Sequence, residues 1–577
     1  MKRLLVIQTY RHGDVLQTTP ALRALRARHP DAHITALVRR PFGEALRGHP
    51  DVDELIEWDL SSFSVPNGIG DTTREEELAE LRHLVEPLRD SGIESVYNFS
   101  NDFLGALLAG FIAPERTVGL VFDRDRRYRV RNDWLRCLFL NMELRGLNSF
   151  NLADMFLHAC GDAERRAPSL RVTEDDRNAA DRLLGPAALN GARLIGLQPG
   201  ASKEYKRWPT ARFVELGLRL QRQGHDLVLF GSPSERSMVE SLAQRIAAAG
   251  RPPLNLAGRT TLAQLAAALS RCRLLVSNDT ATVHVAAAAG TPCVVLAWGP
   301  TTGWETAPYR EGNLIIEPRM SCFPCKWSGY CDDLPCRDRL TVESVLGGVE
   351  LALGLETSGA ERPSGDVTLY RTGWLPDGLF GCRPLNRPPL TSSALFRLLL
   401  RKDQIERLSG DALPNHITDI LIEDYDPCSM PDLLLGLRRI RAELGGLRQL
   451  GEVGLRATDA LVKHAAAPGS GRALERLTDS VGRLQERILG LEAHEPVRLL
   501  TLRFNHGLRD MSFHGLRDGA LAHRWNYGRL AEDCGRLEQS LADFMNRFTA
   551  RCGSPPPDEP PPERLEPQTE RICHVGG

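Results

Sequence analysis

Along the first third of the chain, short apolar runs alternate with stretches of helical character. Continuous apolar runs of this length are typical of strands that are buried on both faces. The runs lie at Leu4–Gln8, His33–Val38, Ser95–Phe99 and Thr117–Val121, with helical character over Pro20–Arg28. This alternation predicts a parallel sheet with helices on both faces. The polar stretch Ser61–Glu77 interrupts it and is interpreted as a loop.

The pattern restarts near Arg193, which predicts two α/β domains in tandem, at residues 1–180 and 181–356. A helical, Pro-containing bridge around 148–186 joins them. Ligands of such sheets bind beyond the carboxyl ends of the strands, so we expect a site in the cleft between the domains. The second series comprises strands at Leu194–Leu197, Leu227–Phe230, Leu274–Ser277 and Cys293–Ala297, and helices at Pro209–Gln223 and Arg236–Ala249.

Beyond residue 356 the pattern changes character. Residues 357–390 are rich in Gly and Pro and are interpreted as a linker. Residues 391–550 have a helical pattern with leucine-rich stretches, Leu433–Leu450 and Leu474–Leu491, which favour the core of a helical appendage over a cofactor site. Residues 551–577 contain runs of proline and predict a disordered tail.

Composition and charge exclude several classes of protein. With 42% apolar and 25% charged residues among 577, global disorder is excluded. A net charge of −2 gives no bulk attraction to nucleic acid, and 13 cysteines are too few for a disulfide scaffold. No apolar run reaches about 18 residues, and the run at Leu4–Ile7 ends too early for a signal peptide. We expect a soluble, cytoplasmic protein.

The first candidate site follows the first predicted strand, in the segment from Gln8 to Asp14. Gly13 permits a tight or positive-φ turn, which would leave Asp14 at the carboxyl edge of the sheet. A carboxylate there can accept a proton from a substrate hydroxyl. A helix cap is the competing interpretation, and an isolated Gly-Asp pair favours the cap.

The second candidate lies between a predicted strand and a predicted helix, where Pro199-Gly200-Ala201-Ser202 precedes Lys203, Lys206 and Trp208. A turn of small residues with a hydroxyl and a cation suits a phosphate group. An ordinary loop with solvated lysines is the alternative.

The third candidate is the segment from Ser277 to His284. Asp279 or Thr280 starts a helix there, and Gly290 ends it. Thr280 and His284 are four residues apart and share one helix face. The free amides of the first turn suit a diphosphate, and a helix cap with a satisfied histidine is the alternative.

The fourth candidate is a group of four cysteines: Cys322, Cys325, Cys331 and Cys336. Four thiols could hold zinc tetrahedrally. Only Cys322 and Cys325 have the tight two-residue spacing, however, so reduced structural thiols are favoured and we expect no metal.

Taken in this order, the first three candidates resemble glycosyltransferase family 9, the bacterial heptosyltransferases, over about residues 1–353. A cysteine-rich stretch after Trp304 resembles one in many members. The resemblance is carried by Gly13-Asp14-Val15-Leu16 with Thr19–Leu25, by Lys206-Arg207-Trp208-Pro209 with Phe213, and by Asn278-Asp279-Thr280 with His284–Ala288.

The resemblance implies a GT-B fold, in which two Rossmann-like domains with parallel sheets face each other, acceptor side first and donor side second. It implies inverting transfer of a sugar, typically heptose from ADP-heptose, onto lipopolysaccharide core, without metal or cofactor. By matching position, Asp14 would be the general base. Ser202, Lys206, Thr280 and the amides near Ala281 would hold the diphosphate, and Asp279 and His284 would complete the donor pocket. Lys206 and the helix N-terminus would oppose the charge on the departing diphosphate.

Several positions depart from the family pattern. Tyr10-Arg11-His12 precede Gly13 where small residues are common. Ala201 replaces an expected hydroxyl, and Ala281 stands where a glycine is common. The acidic residue expected just after Gly231 is displaced to Glu235.

The expected partners are an ADP-sugar and a lipid-linked or oligosaccharide acceptor, with peripheral contact at the inner membrane and no nucleic acid. Two alternatives stay open. One keeps the fold but uses another nucleotide sugar and a non-lipid acceptor. The other is a non-catalytic scaffold with a helical interaction domain, against which the presence of Asp14, Lys206 and Asp279 argues.

Overall fold

The structure is a computed structural model, and its described residues form two compact units. The first comprises Met1–Phe139 and Asn148–Pro388, and the second comprises Leu140–Leu147 and the chain from Pro389 onward. The described residues are 1–59, 74–123, 127–185, 193–325, 331, 333–355, 365–410, 413–414, 420–426, 430–465, 471–491, 493–509 and 516–552.

The first unit begins with a mixed sheet that has six strands within the described residues, in the order β3-β2-β1-β4-β5-β6. Strands β1 to β5 run parallel, and β6 pairs antiparallel with β5. The central strand β1 is fully covered, with Leu4, Leu5 and Ile7 each 0% exposed. The strands are β1 (Arg3–Gln8), β2 (His33–Arg39), β3 (Glu54–Trp58), β4 (Ser95–Asn98), β5 (Thr117–Phe122) and β6 (Tyr128–Arg131).

A second sheet of the same unit has eight strands in the described chain, in the order β14-β13-β12-β11-β10-β7-β8-β9. Strands β7 to β12 run parallel, and a hairpin of β13 and β14 continues the sheet antiparallel to β12. The strands are β7 (Leu194–Gln198), β8 (Asp226–Leu229), β9 (Leu254–Asn255), β10 (Leu274–Asn278), β11 (Cys293–Leu296), β12 (Leu314–Pro318), β13 (Val367–Trp374) and β14 (Phe380–Pro384).

Helices connect these strands, so both sheets are built as strand–helix–strand repeats. The two tandem Rossmann-like sheets that were predicted are confirmed, with antiparallel strands at one edge of each. The helices are α1 (His12–Arg28), α2 (Arg74–Asp90), α3 (Phe103–Ile112), α4 (Asp133–Glu143), α5 (Leu152–Ala159), α6 (Glu174–Leu184), α7 (Thr210–Arg222), α8 (Arg236–Ala249), α9 (Leu262–Leu269), α10 (Ala281–Ala289), α11 (Gly303–Thr306), α12 (Pro335–Arg339) and α13 (Val342–Leu353).

The linker prediction for residues 357–390 is wrong for 365–390, because β13 and β14 extend the second sheet. Val367 and Leu369 are buried in that sheet, at 0% and 1% exposure. Among the residues that suggested a loop, Gly373, Gly381 and Pro384 lie in these strands. The second domain therefore reaches beyond 356. Residues 357–364 lie outside the described chain.

Three other features differ from prediction. Helix α2 begins at Arg74, inside the stretch that was interpreted as a loop, and residues 60–73 lie outside the described chain. Helix α1 begins at His12, well before Pro20, which it contains. Strands β3, β6, β9 and β12 were not predicted, because they are short or lack a long apolar run.

The second compact unit is helical, as predicted for residues 391–550. Leu437 and Leu444 are each 0% exposed, so the leucine-rich stretch of α15 forms a core. Helices α15 and α18 approach closely where Gly454 meets the ring of Tyr527. The predicted tail at 551–577 starts too early, because Arg551 and Cys552 end α18, and residues 553–577 lie outside the described chain. The helices are α14 (Ser392–Ser409), α15 (Met430–Ala465), α16 (Gly471–Leu489), α17 (Glu495–Arg509) and α18 (Leu516–Cys552).

No helix in the described part of the chain combines the length and the apolarity that crossing a membrane requires.

Candidate functional site

Asp14 lies in the first turn of α1, directly beyond the carboxyl end of β1. Its Oδ2 accepts a hydrogen bond from the Arg11 backbone N–H at 3.2 Å. Burial raises the pKa of Asp14 to about 6, although that N–H and the Arg11 charge oppose the rise. The cap interpretation is therefore correct in part, and the same carboxylate has a pKa suited to accepting a proton near neutral pH.

Gly13 serves close packing rather than the predicted turn. It lies inside α1 and has no positive φ. A Cβ at Gly13 would lie 3.0 Å from His284 Cδ2 and 3.6 Å from the Ala281 Cα. The first turns of α1 and α10 therefore meet, and the carboxyl edges of the two sheets face each other, as a GT-B arrangement requires.

Lys206 and Asp279 form an ion pair on the second sheet's edge. Lys206 Nζ lies 3.1 Å from Asp279 Oδ2, and the Thr301 hydroxyl donates to the same oxygen at 2.8 Å. The Lys206 and Asp279 side chains are only 19% and 13% exposed. The second and third candidate sites, 73 residues apart in sequence, are thus one cluster.

The electrostatics of this cluster are set by burial and by Lys206. Burial alone would raise the pKa of Asp279, but Lys206, the Thr301 hydroxyl and His284 outweigh it and the pKa is lowered. Burial lowers the pKa of His284 to about 4, against the pull of Asp279. At neutral pH, Asp279 is ionised and His284 is neutral.

Asn278 holds the phosphate-loop candidate against the end of β10. Its Nδ2 donates to the carbonyls of Pro199 and Gly200 at 2.8 and 3.0 Å, and its Oδ1 accepts from the Trp208 N–H at 3.1 Å. Trp208 is itself buried and donates its indole N–H to the Leu340 carbonyl at 2.7 Å. Both ends of the loop are therefore fixed to the sheet.

Helix α10 opens towards the same cleft. Thr280 is its N-cap residue, Ala281 its first helical residue, and Gly290 ends it with φ +81°, as predicted. Thr280 Oγ1 lies 3.4 Å from Ser277 Oγ. Ala281 is half-buried, and its Cα would lie 3.6 Å from a Cβ at Gly13, so the first turn of α10 borders the cleft. A helix N-terminus carries partial positive charge, which suits an anion.

Ser202 is exposed on the phosphate loop, and it is joined to the opposite domain. Arg11 Nη1 donates to Ser202 Oγ at 2.7 Å. The sequence marked Arg11 only as a departure from the family pattern, and Thr301 was not singled out at all. The structure brings all seven predicted site residues to the facing edges of the two sheets.

Residues 81–329 match the family model of glycosyltransferase family 9 (heptosyltransferase). The predicted resemblance is confirmed.

Curated relatives align with a longer part of this chain. A lipopolysaccharide heptosyltransferase 3 from Escherichia coli is 24% identical over 362 residues, which are 60% of this chain and 98% of the relative. A lipopolysaccharide heptosyltransferase 2 from Salmonella typhimurium is 29% identical over 54% of this chain and 87% of its own. A family 9 glycosyl transferase structure from Veillonella parvula aligns with a TM-score of 0.49 at 25% identity, covering 61% of this chain and 97% of that one.

Within the residues that match the family model, Glu235 has a structural role that the sequence did not reveal. It is buried, and its Oε2 accepts from the Ser232 N–H at 2.8 Å and from Gln198 Nε2 at 3.3 Å. A Cβ at Gly200 would overlap the Glu235 carboxylate, 2.1 Å from Oε1. Gly200 is therefore needed so that the phosphate loop can pass over this acid.

The segment with the four cysteines is only partly described by the structure. Cys322 and Cys331 are exposed, Cys325 is half-buried and Cys336 is buried. Burial is the main cause that raises the pKa of Cys325, and the neighbouring thiols add to it. The same two causes raise the pKa of Cys336 to about 11. In the described chain, which lacks residues 326–330 and 332, no three His, Cys, Asp or Glu side chains are grouped as metal ligands.

Proposed function

We propose that this protein is an inverting, metal-independent glycosyltransferase that moves heptose from ADP-heptose onto the core of lipopolysaccharide. One observation carries the proposal. A half-buried carboxylate with a pKa near neutrality, Asp14, lies across a cleft from the Lys206–Asp279 pair and the N-terminus of α10. A base thus faces a site for an anionic leaving group.

Asp14 is the general base of the proposed reaction. Its carboxylate takes the proton of the acceptor hydroxyl while that oxygen attacks the anomeric carbon of the donor. The bond from this carbon to the diphosphate oxygen breaks, and the nucleoside diphosphate leaves with the electron pair. A single displacement of this kind inverts the anomeric centre. A base with a pKa of about 6 is largely ionised at pH 7. It is also basic enough to accept the proton of the acceptor hydroxyl during the reaction.

Lys206 and the α10 amides stabilise the leaving group. Negative charge grows on the diphosphate as the bond breaks, so fixed donors at that position favour the transition state over the bound donor. Ser202 and Thr280 supply neutral hydroxyl contacts to the phosphates. Asp279 and His284 shape the pocket, and Asp279 holds the Lys206 ammonium in place.

The heptose donor and the lipopolysaccharide acceptor are proposed from the relatives. The Escherichia coli relative, named a lipopolysaccharide heptosyltransferase 3, is covered over 98% of its length. The facing edges of two Rossmann-like sheets suit a nucleotide sugar on one side and an acceptor glycan on the other.

Transfer assays with matched donors test this function. Purified full-length protein is incubated with ADP-heptose and a heptose-deficient lipopolysaccharide core, and binding of ADP-, UDP- and GDP-sugars is titrated in parallel. We expect heptose transfer and a preference for the ADP-sugar. A preference for a UDP- or GDP-sugar would show that the donor is not ADP-heptose. Absence of binding to any nucleotide sugar would favour the non-catalytic scaffold.

Chelation tests the proposed independence from metal. We expect EDTA to leave transfer intact, because Lys206 and helix amides meet the leaving-group charge. Loss of activity that Mg²⁺ or Mn²⁺ restores would contradict this. Recovery with Zn²⁺ alone would instead identify the four cysteines as a structural metal site.

The proposed acceptor places the enzyme at the cytoplasmic face of the inner membrane, in peripheral contact with it. Cell fractionation tests this: the protein should sediment with inner-membrane vesicles and be released by high salt or carbonate. A protein found wholly in the supernatant at low salt would contradict the membrane contact.

A further inference from the structure

Arg11 joins the two edges of the proposed site directly. It is the N-cap residue of α1, three positions before Asp14, and its side chain is exposed. The guanidinium reaches across the cleft, where Nη1 donates to Ser202 Oγ at 2.7 Å. Arg11 therefore touches the loop on which Ser202 and Lys206 are proposed to hold phosphate.

The charges around the cleft explain why a second cation matters there. Lys206 is paired with Asp279, so these two charges cancel. Asp14 adds a negative charge, and His284 is neutral at pH 7 because its pKa is about 4. Without Arg11, these groups would carry a net negative charge, and the remaining cations nearby, Lys203 and Arg207, both lie on the donor-side loop.

The Arg11 charge is free for an anion. Within the part of the chain that the structure describes, Arg11 has no salt-bridge partner, and its guanidinium contacts a neutral hydroxyl. Arginine carries five N–H donors in a planar fork that matches phosphate oxygens, and one contact to Ser202 leaves others available.

We propose that Arg11 binds the diphosphate of the nucleotide-sugar donor as a second cation, from the acceptor-side domain, with a phosphate oxygen replacing the Ser202 hydroxyl as the acceptor of its N–H groups. This inference rests on the proposed function. Lys206 then approaches the leaving group from one domain and Arg11 from the other. The bound donor then joins the two sheet edges in place of the direct Arg11–Ser202 contact, because each edge contributes a contact to one anion.

The same placement puts the Arg11 charge close to the base, with the Asp279 charge acting on the base in the opposite direction. The positive charge of Arg11 favours the ionised form of Asp14 and so lowers its pKa against the larger effect of burial. Removing the charge should therefore move the acid limb of the rate profile to higher pH. Loss of a simple tether between the domains would not move that limb.

Nucleotides of increasing charge test the contact. Adenosine, AMP and ADP are titrated by calorimetry into the full-length protein, the Arg11→Gln and Arg11→Lys variants, and the control Arg271→Gln. Glutamine removes the charge, and because it ends two bonds short of Nη1 it also loses the Ser202 contact. The comparison of adenosine, AMP and ADP therefore separates a lost phosphate contact from a lost tether. Arg271 is an exposed arginine paired with Asp181 just before β10, at the opposite edge of the sheet.

We expect Arg11→Gln to weaken ADP binding about tenfold or more and AMP binding less, with adenosine unchanged. Arg11→Lys should recover part of the ADP affinity, and Arg271→Gln should match the wild type. In the transfer assay, the acid limb of kcat/KM should shift upward in Arg11→Gln.

Two outcomes would overturn the inference while leaving the proposed function standing. One is ADP binding by Arg11→Gln as tight as that of the wild type. The other is an equal loss for adenosine, AMP and ADP, which would indicate a disturbed cleft rather than a lost phosphate contact. If the wild-type protein binds neither ADP nor any nucleotide sugar, the proposed function itself fails.

Discussion

Two aspartates occupy equivalent places in the two sheets, yet their surroundings move their pKa values in opposite directions. Asp14 follows β1 in the first turn of α1, and Asp279 follows β10 just before α10. Burial raises the pKa of Asp14 to about 6, whereas Lys206 and Thr301 outweigh burial and lower that of Asp279. Two carboxylates with separated pKa values can serve as a base and as a fixed counter-ion.

The difference arises from which partners reach each carboxylate. Asp279 receives an ammonium and a hydroxyl on one oxygen, at 3.1 and 2.8 Å. Asp14 receives a backbone N–H from Arg11 at 3.2 Å, and the Arg11 guanidinium bonds to Ser202 instead. The same strand-to-helix geometry thus supports proton transfer on one sheet and anion binding on the other.

Asp14→Asn should produce the largest effect. The amide keeps the side chain's size but cannot accept the acceptor's proton, and loss of a general base commonly costs roughly 10²–10⁴-fold in rate. We expect kcat to fall by that factor while ADP affinity, measured by calorimetry, is unchanged. A variant with near-normal turnover would show that Asp14 is a helix cap only.

Lys206→Ala should have the second largest effect, and it should weaken donor binding and lower turnover together. A charge-assisted contact to phosphate contributes about 1.5–3 kcal/mol, or roughly 10–150-fold. The change also leaves the buried Asp279 carboxylate without its cation, so the pKa of Asp279 should rise. Titration with the ADP-sugar measures the loss of affinity, and kcat measures the loss of turnover. Lys206→Arg should recover part of both.

The matched control for Lys206 is Lys203→Ala, because Lys203 is an exposed lysine of the same loop. We expect its ADP affinity to stay near that of the wild type. If Lys203→Ala alone loses affinity, the phosphate contact is Lys203, and if neither variant does, this loop does not bind phosphate.

The pH dependence of kcat/KM should follow the ionisation of Asp14 and not that of Asp279. With a pKa near 6 and the ionised form required, kcat/KM should fall about tenfold per unit as the pH drops below 6. Asp279 stays ionised and His284 stays neutral through that range, because their pKa values lie below it. Rates from pH 5 to 8 measure this, and a flat profile down to pH 5 would contradict the assignment.

Thr301→Val should give the smallest effect. It separates the contribution of Thr301 to the Asp279 site from that of Lys206. It removes one hydrogen bond from the ionised carboxylate while Lys206 remains, so a loss of about 1 kcal/mol, or roughly fivefold, is expected in donor affinity. ADP titration against the wild type gives the value. A loss as large as that of Lys206→Ala would mean that Thr301 contacts the donor itself.

Much of the fold could be predicted from local patterns. The central strands, helix α8 and both ends of α10 lie where apolar runs and capping residues indicate. The edge strands β6, β13 and β14 were missed, because β6 is short and the hairpin of β13 and β14 contains the Gly and Pro residues that usually mark loops. An edge strand depends on its neighbour, which a local pattern does not contain.

For the site, the sequence determined which chemical groups are present: a carboxylate after the first strand, a lysine on a small-residue loop, and an Asp-Thr pair at a helix start. Local rules suffice for these because each lies at a strand end. Tertiary structure alone decided their partners and charge states. The Lys206–Asp279 pair, the Arg11–Ser202 contact and the packing of Gly13 on His284 join residues that are far apart in the chain. Burial and partner charge set a pKa, and both exist only once the two sheet edges meet.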